Sequence, residues 1–279
     1  MTDFYFRMRA KLYDQRWLRG ITAPLKPIPK GKTWIFVVGC YNSGTTLLRN
    51  LLAAHPEVDS LPREGAVFGD GLVRPEEYGW TRMWVYCLDK IELNEMSQGV
   101  NADKIKRAWG LWLKRNRRFY LEKSISNSAR MRWLDAHFEN AYFISIVRNG
   151  YAVAEGIRRR AREGKIPKDY PIELCAKQWV LSNGIIDTDG TRVNRFTSLT
   201  YEHLTSDPVT KMREVFSFVG LPVGNIIPIS GGVSIAGKYF SIGNRNAESI
   251  SRLSCDEIAA VSKVAGQMLS TKGYEIIPE

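Results

Sequence analysis

The sequence predicts an α/β protein, a three-layer α/β/α sandwich around a central parallel sheet. Three observations support it. Short apolar runs of buried-strand character recur at residues 34–38, 119–121, 141–147 and 195–201. Each is followed by a segment with apolar residues at helical spacing, the alternation that builds a parallel sheet covered on both faces. The chemistry-bearing polar residues fall just after these runs, at strand carboxyl ends, where open parallel sheets bind ligands.

In chain order, residues 1–33 open with Phe4, Tyr5, Phe6, Tyr13 and Trp17, expected to dock on the core. Pro24, Pro27 and Pro29 make an extended lead into the first strand. After the apolar run 34–38 comes Gly39-Cys40-Tyr41-Asn42-Ser43-Gly44-Thr45-Thr46. Leu47, Leu48, Leu51 and Leu52 then mark a helix that His55-Pro56 ends. A strand, a glycine-bearing loop and a helix in that order form an anion site, because the free N–H groups and positive dipole end of the helix point at the loop. The loop approaches G-x-x-x-x-G-K-[ST], with Thr45 where the lysine belongs, so the fold is P-loop-like. That lysine neutralises β- and γ-phosphates, and its loss argues against ATP or GTP hydrolysis.

Residues 57–61 suggest a second short strand. Residues 65–100 are irregular, with aromatics at Tyr78, Trp80, Trp84 and Tyr86, and suggest a lid or substrate-side insertion; the same aromatics suit a satellite hydrophobic cluster. A helix is expected over 102–118. The run 119–121 leads into Glu122-Lys123-Ser124, and Ser126 or Asn127 is placed to cap a helix through Phe138. Arg148-Asn149-Gly150 ends the run 141–147. A helix bearing Arg158, Arg159, Arg160 and Arg162 follows, then another over 172–186. After the strand 195–201, Asp207-Pro208 starts a helix that Gly220-Leu221-Pro222 stops. Residues 223–250 are expected as a loop, and Ser254 with Glu257 forms a capping box for a final helix.

The chain shows no repeat, low-complexity tract or linker. One domain over 1–279 is expected, with 1–33 as an extension. Forty Lys and Arg against 29 Asp and Glu give +11, which suits an anionic ligand but does not choose among them. No nucleic-acid motif accompanies that charge, so a polynucleotide partner is disfavoured. Cys40, Cys87, Cys175 and Cys255 lack paired spacing, and His55, His137 and His203 are too scattered for a metal motif. With no membrane-length apolar run and no signal-peptide core, a soluble cytoplasmic protein is expected.

Ser43-Gly44-Thr45-Thr46-Leu47-Leu48 after an apolar strand resembles the 5′-phosphosulfate loop of the sulfotransferases, and further matches follow in order to about residue 270. The pattern is most similar to carbohydrate- and tyrosyl-protein-type members. The resemblance implies 3′-phosphoadenosine 5′-phosphosulfate (PAPS) as donor, 3′-phosphoadenosine 5′-phosphate (PAP) as product, and no metal. It places Asn42, Ser43, Gly44, Thr45 and Thr46 at the phosphosulfate. Arg148 would grip the 3′-phosphate, Tyr201 would line the nucleoside pocket, and Arg245 and Asn246 would belong to a loop folded over the nucleotide. Lys123 would supply charge to the leaving oxygen, and Glu64 would take the proton of a hydroxyl or amine on a glycan, lipid, small molecule or protein. Two positions depart from the family pattern. Asn42 replaces a lysine or arginine, and Gly156 replaces a serine that also serves the 3′-phosphate. A P-loop kinase-like enzyme, or a non-catalytic nucleotide- or nucleic-acid-binding protein of the same fold, is the alternative.

Overall fold

The computed structural model describes residues 20–68, 71–224, 226–229 and 231–278. The N-terminal aromatics Phe4, Tyr5, Phe6, Tyr13 and Trp17 lie outside the described residues.

Five strands make the main sheet: β1 (Thr33–Val38), β2 (Val58–Ser60), β3 (Phe119–Glu122), β4 (Ala141–Val147) and β5 (Phe196–Thr200). Their order is β2-β3-β1-β4-β5, and all pair in parallel. β1 is central, so its apolar run is buried on both faces. Trp34, Phe36 and Val38 enter one core with Trp109, Trp133 and Phe138, while Ile35 and Val37 enter another with Leu48, Leu51 and Phe216. Helices cover both faces: α1 (Thr45–Ala54), the one-turn α2 (Leu88–Ile91), α3 (Ala102–Gly110), α4 (Met131–His137), α5 (Gly150–Arg162) and α6 (Ile172–Gly190). α7 (Tyr201–Ser206) and α8 (Pro208–Val219) follow β5. A P-loop-like α/β/α sandwich results.

Four expectations are corrected. The helix expected over 102–118 stops at Gly110, although Leu111, Trp112 and Leu113 stay buried in the Trp34 core. Ser126 and Asn127 cap nothing: residues 125–129 form a 3-10 turn, and α4 starts only at Met131. The strand expected to reach Tyr201 ends at Thr200, whose hydroxyl accepts from His203 N and caps α7. Residues 223–250 are not a loop. They hold an antiparallel meander, β6 (Ile226–Ile229), β7 (Gly232–Ile235) and β8 (Lys238–Ser241), then the short α9 (Asn246–Ile250).

The last helix, α10 (Cys255–Thr271), opens with the expected Ser254–Glu257 capping box. All four cysteines are free thiols. Trp84 is fully buried with Tyr41 and Trp179, so it belongs to the core rather than to a ligand surface. Among the described residues no helix is long and apolar enough to cross a membrane.

Candidate active site

The carboxyl ends of β1, β3 and β4 open onto one cleft of about 450 Å³, lined by residues that include Asn42, Gly44, Thr45, Thr46, Glu64, Lys123 and Arg148. The loop from Gly39 to Gly44 ends β1. Gly44, at φ 98°, turns the chain into α1, and a Cβ there would stand 2.8 Å from the Tyr201 ring, so glycine is required twice over. No side chain caps the N-terminus of α1, which leaves its first-turn N–H groups for an anion. Ser43 is buried, and its hydroxyl has no hydrogen-bond partner. Such a group is costly to bury unless a ligand satisfies it.

Arg148 directly follows β4 and is buried. Its Nε donates to Asn246 Oδ1 at 2.8 Å, Nη1 to the Asn42 carbonyl at 3.0 Å and Nη2 to Ser249 Oγ at 3.4 Å. Its guanidinium lies 4.5 Å from the centroid of the Tyr201 ring, whose hydroxyl donates to Gly243 O at 2.9 Å. Burial lowers the Arg148 pKa, opposed by Tyr201 and Glu202. Arg148, Tyr201 and Asn246, far apart in sequence, thus meet beside the loop. Arg245 is exposed next to Asn246, and neither of them lines the cleft, nor do Ser43 and Tyr201, which flank it through Arg148 and the loop.

The other side of the cleft is built from β3. Lys123 Nζ and Glu64 Oε1 form an ion pair at 2.8 Å, with the lysine side chain 16% and the glutamate 38% exposed. A second cavity of about 380 Å³ adjoins it, sharing Thr46, Glu64, Glu76 and Lys123 and adding Arg49, Arg63 and Arg74. The pair therefore stands at the junction of two spaces.

Several residues of this region escaped the sequence. Glu202 accepts from Asn246 Nδ2 at 2.6 Å, Asn149 N at 3.1 Å and Tyr274 Oη at 2.9 Å, tying α7, the start of α5, α9 and the segment after α10 together. Its only local signal was its place after Tyr201. Glu122, fully buried, accepts from Gly65 N at 2.7 Å and from Ser124 Oγ and Asn127 Nδ2. Burial pushes its carboxyl up to about 7. Ser128 Oγ accepts from Gly39 N at 3.1 Å, so the supposed capping segment braces the loop instead. Among the described residues no cluster of three or more His, Cys, Asp or Glu side chains is arranged to hold a metal ion.

The model of the sulfotransferase family matches residues 35–225, which hold the loop after β1, Glu64, Lys123, Arg148 and Tyr201 but not Asn246, Ser249 or Tyr274. The chain belongs to the sulfotransferase family. Solved sulfotransferases share its fold. The sulfotransferase domain of the olefin synthase from Synechococcus PCC 7002 is 23% identical, with a TM-score of 0.56 over 90% of this chain and 99% of that one. The sulfotransferase domain from the curacin biosynthetic pathway is 20% identical, with 0.54 over 88% and 99%. Sulfotransferase STF9 from Mycobacterium avium is 13% identical, with 0.57 over 96% and 83%. No curated protein matches the chain. Membership of the sulfotransferase family sets aside the kinase-like alternative and makes the chain a transferase.

Proposed function

We propose that this sulfotransferase uses PAPS as donor and sulfates a hydroxyl or amine of an acceptor in the cleft. The observation that carries this is a single cleft holding an uncapped helix N-terminus, a strand-end arginine and a lysine–glutamate pair, with the unpartnered Ser43 hydroxyl buried in the loop beside it. The residues fit the group. Ser43 to Thr46, with Asn42, offer donors to the 5′-phosphosulfate end, and Arg148 and Asn246 offer them to the 3′-phosphate, with Arg245 beside them. Tyr201 lines the nucleoside side.

When bound, PAPS supplies the activated sulfuryl group. The chain supplies position and charge, the two contributions that dominate analogous phosphoryl transfer. Lys123 holds positive charge where a leaving oxygen gains negative charge. Glu64 Oε1, fixed by that lysine, takes the acceptor's proton, and its partial exposure lets the proton pass to solvent.

Calorimetric titration with PAP tests this, with AMP, which lacks the 3′-phosphate, as control. Micromolar binding that requires the 3′-phosphate and is lost in Arg148→Ala is expected. A folded protein that does not bind PAP would overturn the proposal.

A further inference from the structure

The family pattern puts a lysine or arginine where this chain has Asn42, so the loop itself brings no cation to the cleft. Arg82 arrives there from a different part of the chain. Its Nη1 donates to Asn42 Oδ1 at 3.1 Å, and its guanidinium lies 5.9 Å from the centroid of the Tyr41 ring. It lines the same cleft as Thr45, Thr46, Lys123 and Arg148. Among the described residues no carboxylate lies within ion-pair distance of it, although Glu64 and Glu76 of the same cleft act on its charge from farther away, so a half-buried guanidinium is left facing the cleft.

The backbone marks the same two residues. Asn42 at φ 60° and Arg82 at φ 56° both hold the left-handed conformation without being glycine. Asparagine tolerates that region and arginine does so less readily, so Arg82 stays there only because its surroundings fix it.

The second departure belongs to the same arrangement. Arginine only donates, so the Asn42 amide oxygen must face it. The amide nitrogen then points at Gly156, where it has no partner and where a Cβ would lie 2.4 Å away. A serine at 156 would push Asn42 aside and release Arg82. Asn42, Gly156 and Arg82 thus form one unit.

We propose that Arg82 is the cation this cleft uses in place of the loop lysine, held by Asn42 at the 5′-phosphosulfate end of the nucleotide. This rests on PAPS being the donor.

Calorimetry with two ligands tests it: PAP, and adenosine 3′-monophosphate, which lacks the 5′-phosphate. Arg82→Gln keeps an N–H to offer Asn42 and removes the charge. It should weaken PAP about tenfold and leave adenosine 3′-monophosphate unchanged, the loss expected for one charged hydrogen bond. Arg82→Lys should retain most of the PAP affinity, and Asn42→Lys added to Arg82→Gln should restore it. PAP affinity within twofold of wild type in Arg82→Gln would overturn the inference. So would an equal loss for both nucleotides, which would make Arg82 a brace for the loop. If the wild-type chain itself fails to bind PAP, the donor assignment falls, and this inference with it.

Discussion

Lys123 directly follows Glu122 at the end of β3, while Glu64 lies on a separate segment, and the Lys123–Glu64 ion pair brings the two proposed roles together. With an acceptor found by screening against PAPS, Glu64→Gln should lower kcat about a hundredfold and leave PAP affinity near wild type. Lys123→Ala should lower kcat by a similar factor or more. The double variant should lose less than the product of the two, because each removal already disorganises the other. Unchanged turnover in either single variant would remove that residue from its role. Glu122 sets a different experiment. Its carboxyl titrates near 7 in the fold and in the ordinary carboxylate range, about 4.5, when unfolded. Between those values the unfolded chain has released a proton that the native state retains. The stabilisation is therefore complete below that range and lost as pH rises through about 7. Thermal melts should show this decline in the wild type and a flatter profile in Glu122→Gln. The glutamine fits because Asn127 Oδ1, now unpartnered, can turn to accept its amide. The sequence showed Lys123 and Glu64 through their motif context. Glu122 stayed hidden because Gly65, one of its donors, lies far away in the chain.

At the level of elements, strands with continuous apolar runs were legible, and two kinds of error had physical causes. Apolar residues persist through Leu111–Leu113 because that segment is still packed against the Trp34 core, although it has left the helix. Burial and helicity separate there, and periodicity reads only burial. The meander β6–β8 was missed because its strands are short and interrupted by glycines. At the turn between β7 and β8 only Gly237 signals a hairpin in the sequence, yet Ala236 and Gly237 both have positive φ, at 49° and 80°, as a two-residue hairpin requires. Alanine is a poor occupant of that conformation. Ala236→Gly should stabilise the fold by about 0.5–1 kcal/mol in denaturant melts, the left-handed penalty less the added freedom of the unfolded chain. Because residue 236 is exposed on the hairpin, PAP affinity should not change.

For the whole molecule, the strand–loop–helix at residues 34–54 announced the architecture, since one such unit with alternating strands and helices after it admits few topologies. The Arg148 side of the cleft was legible for the same reason: it sits at a strand end within a motif. Arg82 was not, because the segment that delivers it has no periodicity and its partner is an asparagine rather than a charge.

The sheet order has a consequence for how the molecule comes into being. β1 is synthesised before both of its neighbours, β3 and β4, which begin only at Phe119 and Ala141. Until those segments leave the ribosome, this apolar strand has two open edges and no sheet to join, a state prone to pairing with other chains. Folding must wait for distant partners, which makes it slow. A nucleotide that binds only the closed cleft would draw nascent molecules toward the native state by mass action. On the proposed function, the donor would then be a folding ligand as well as a reactant.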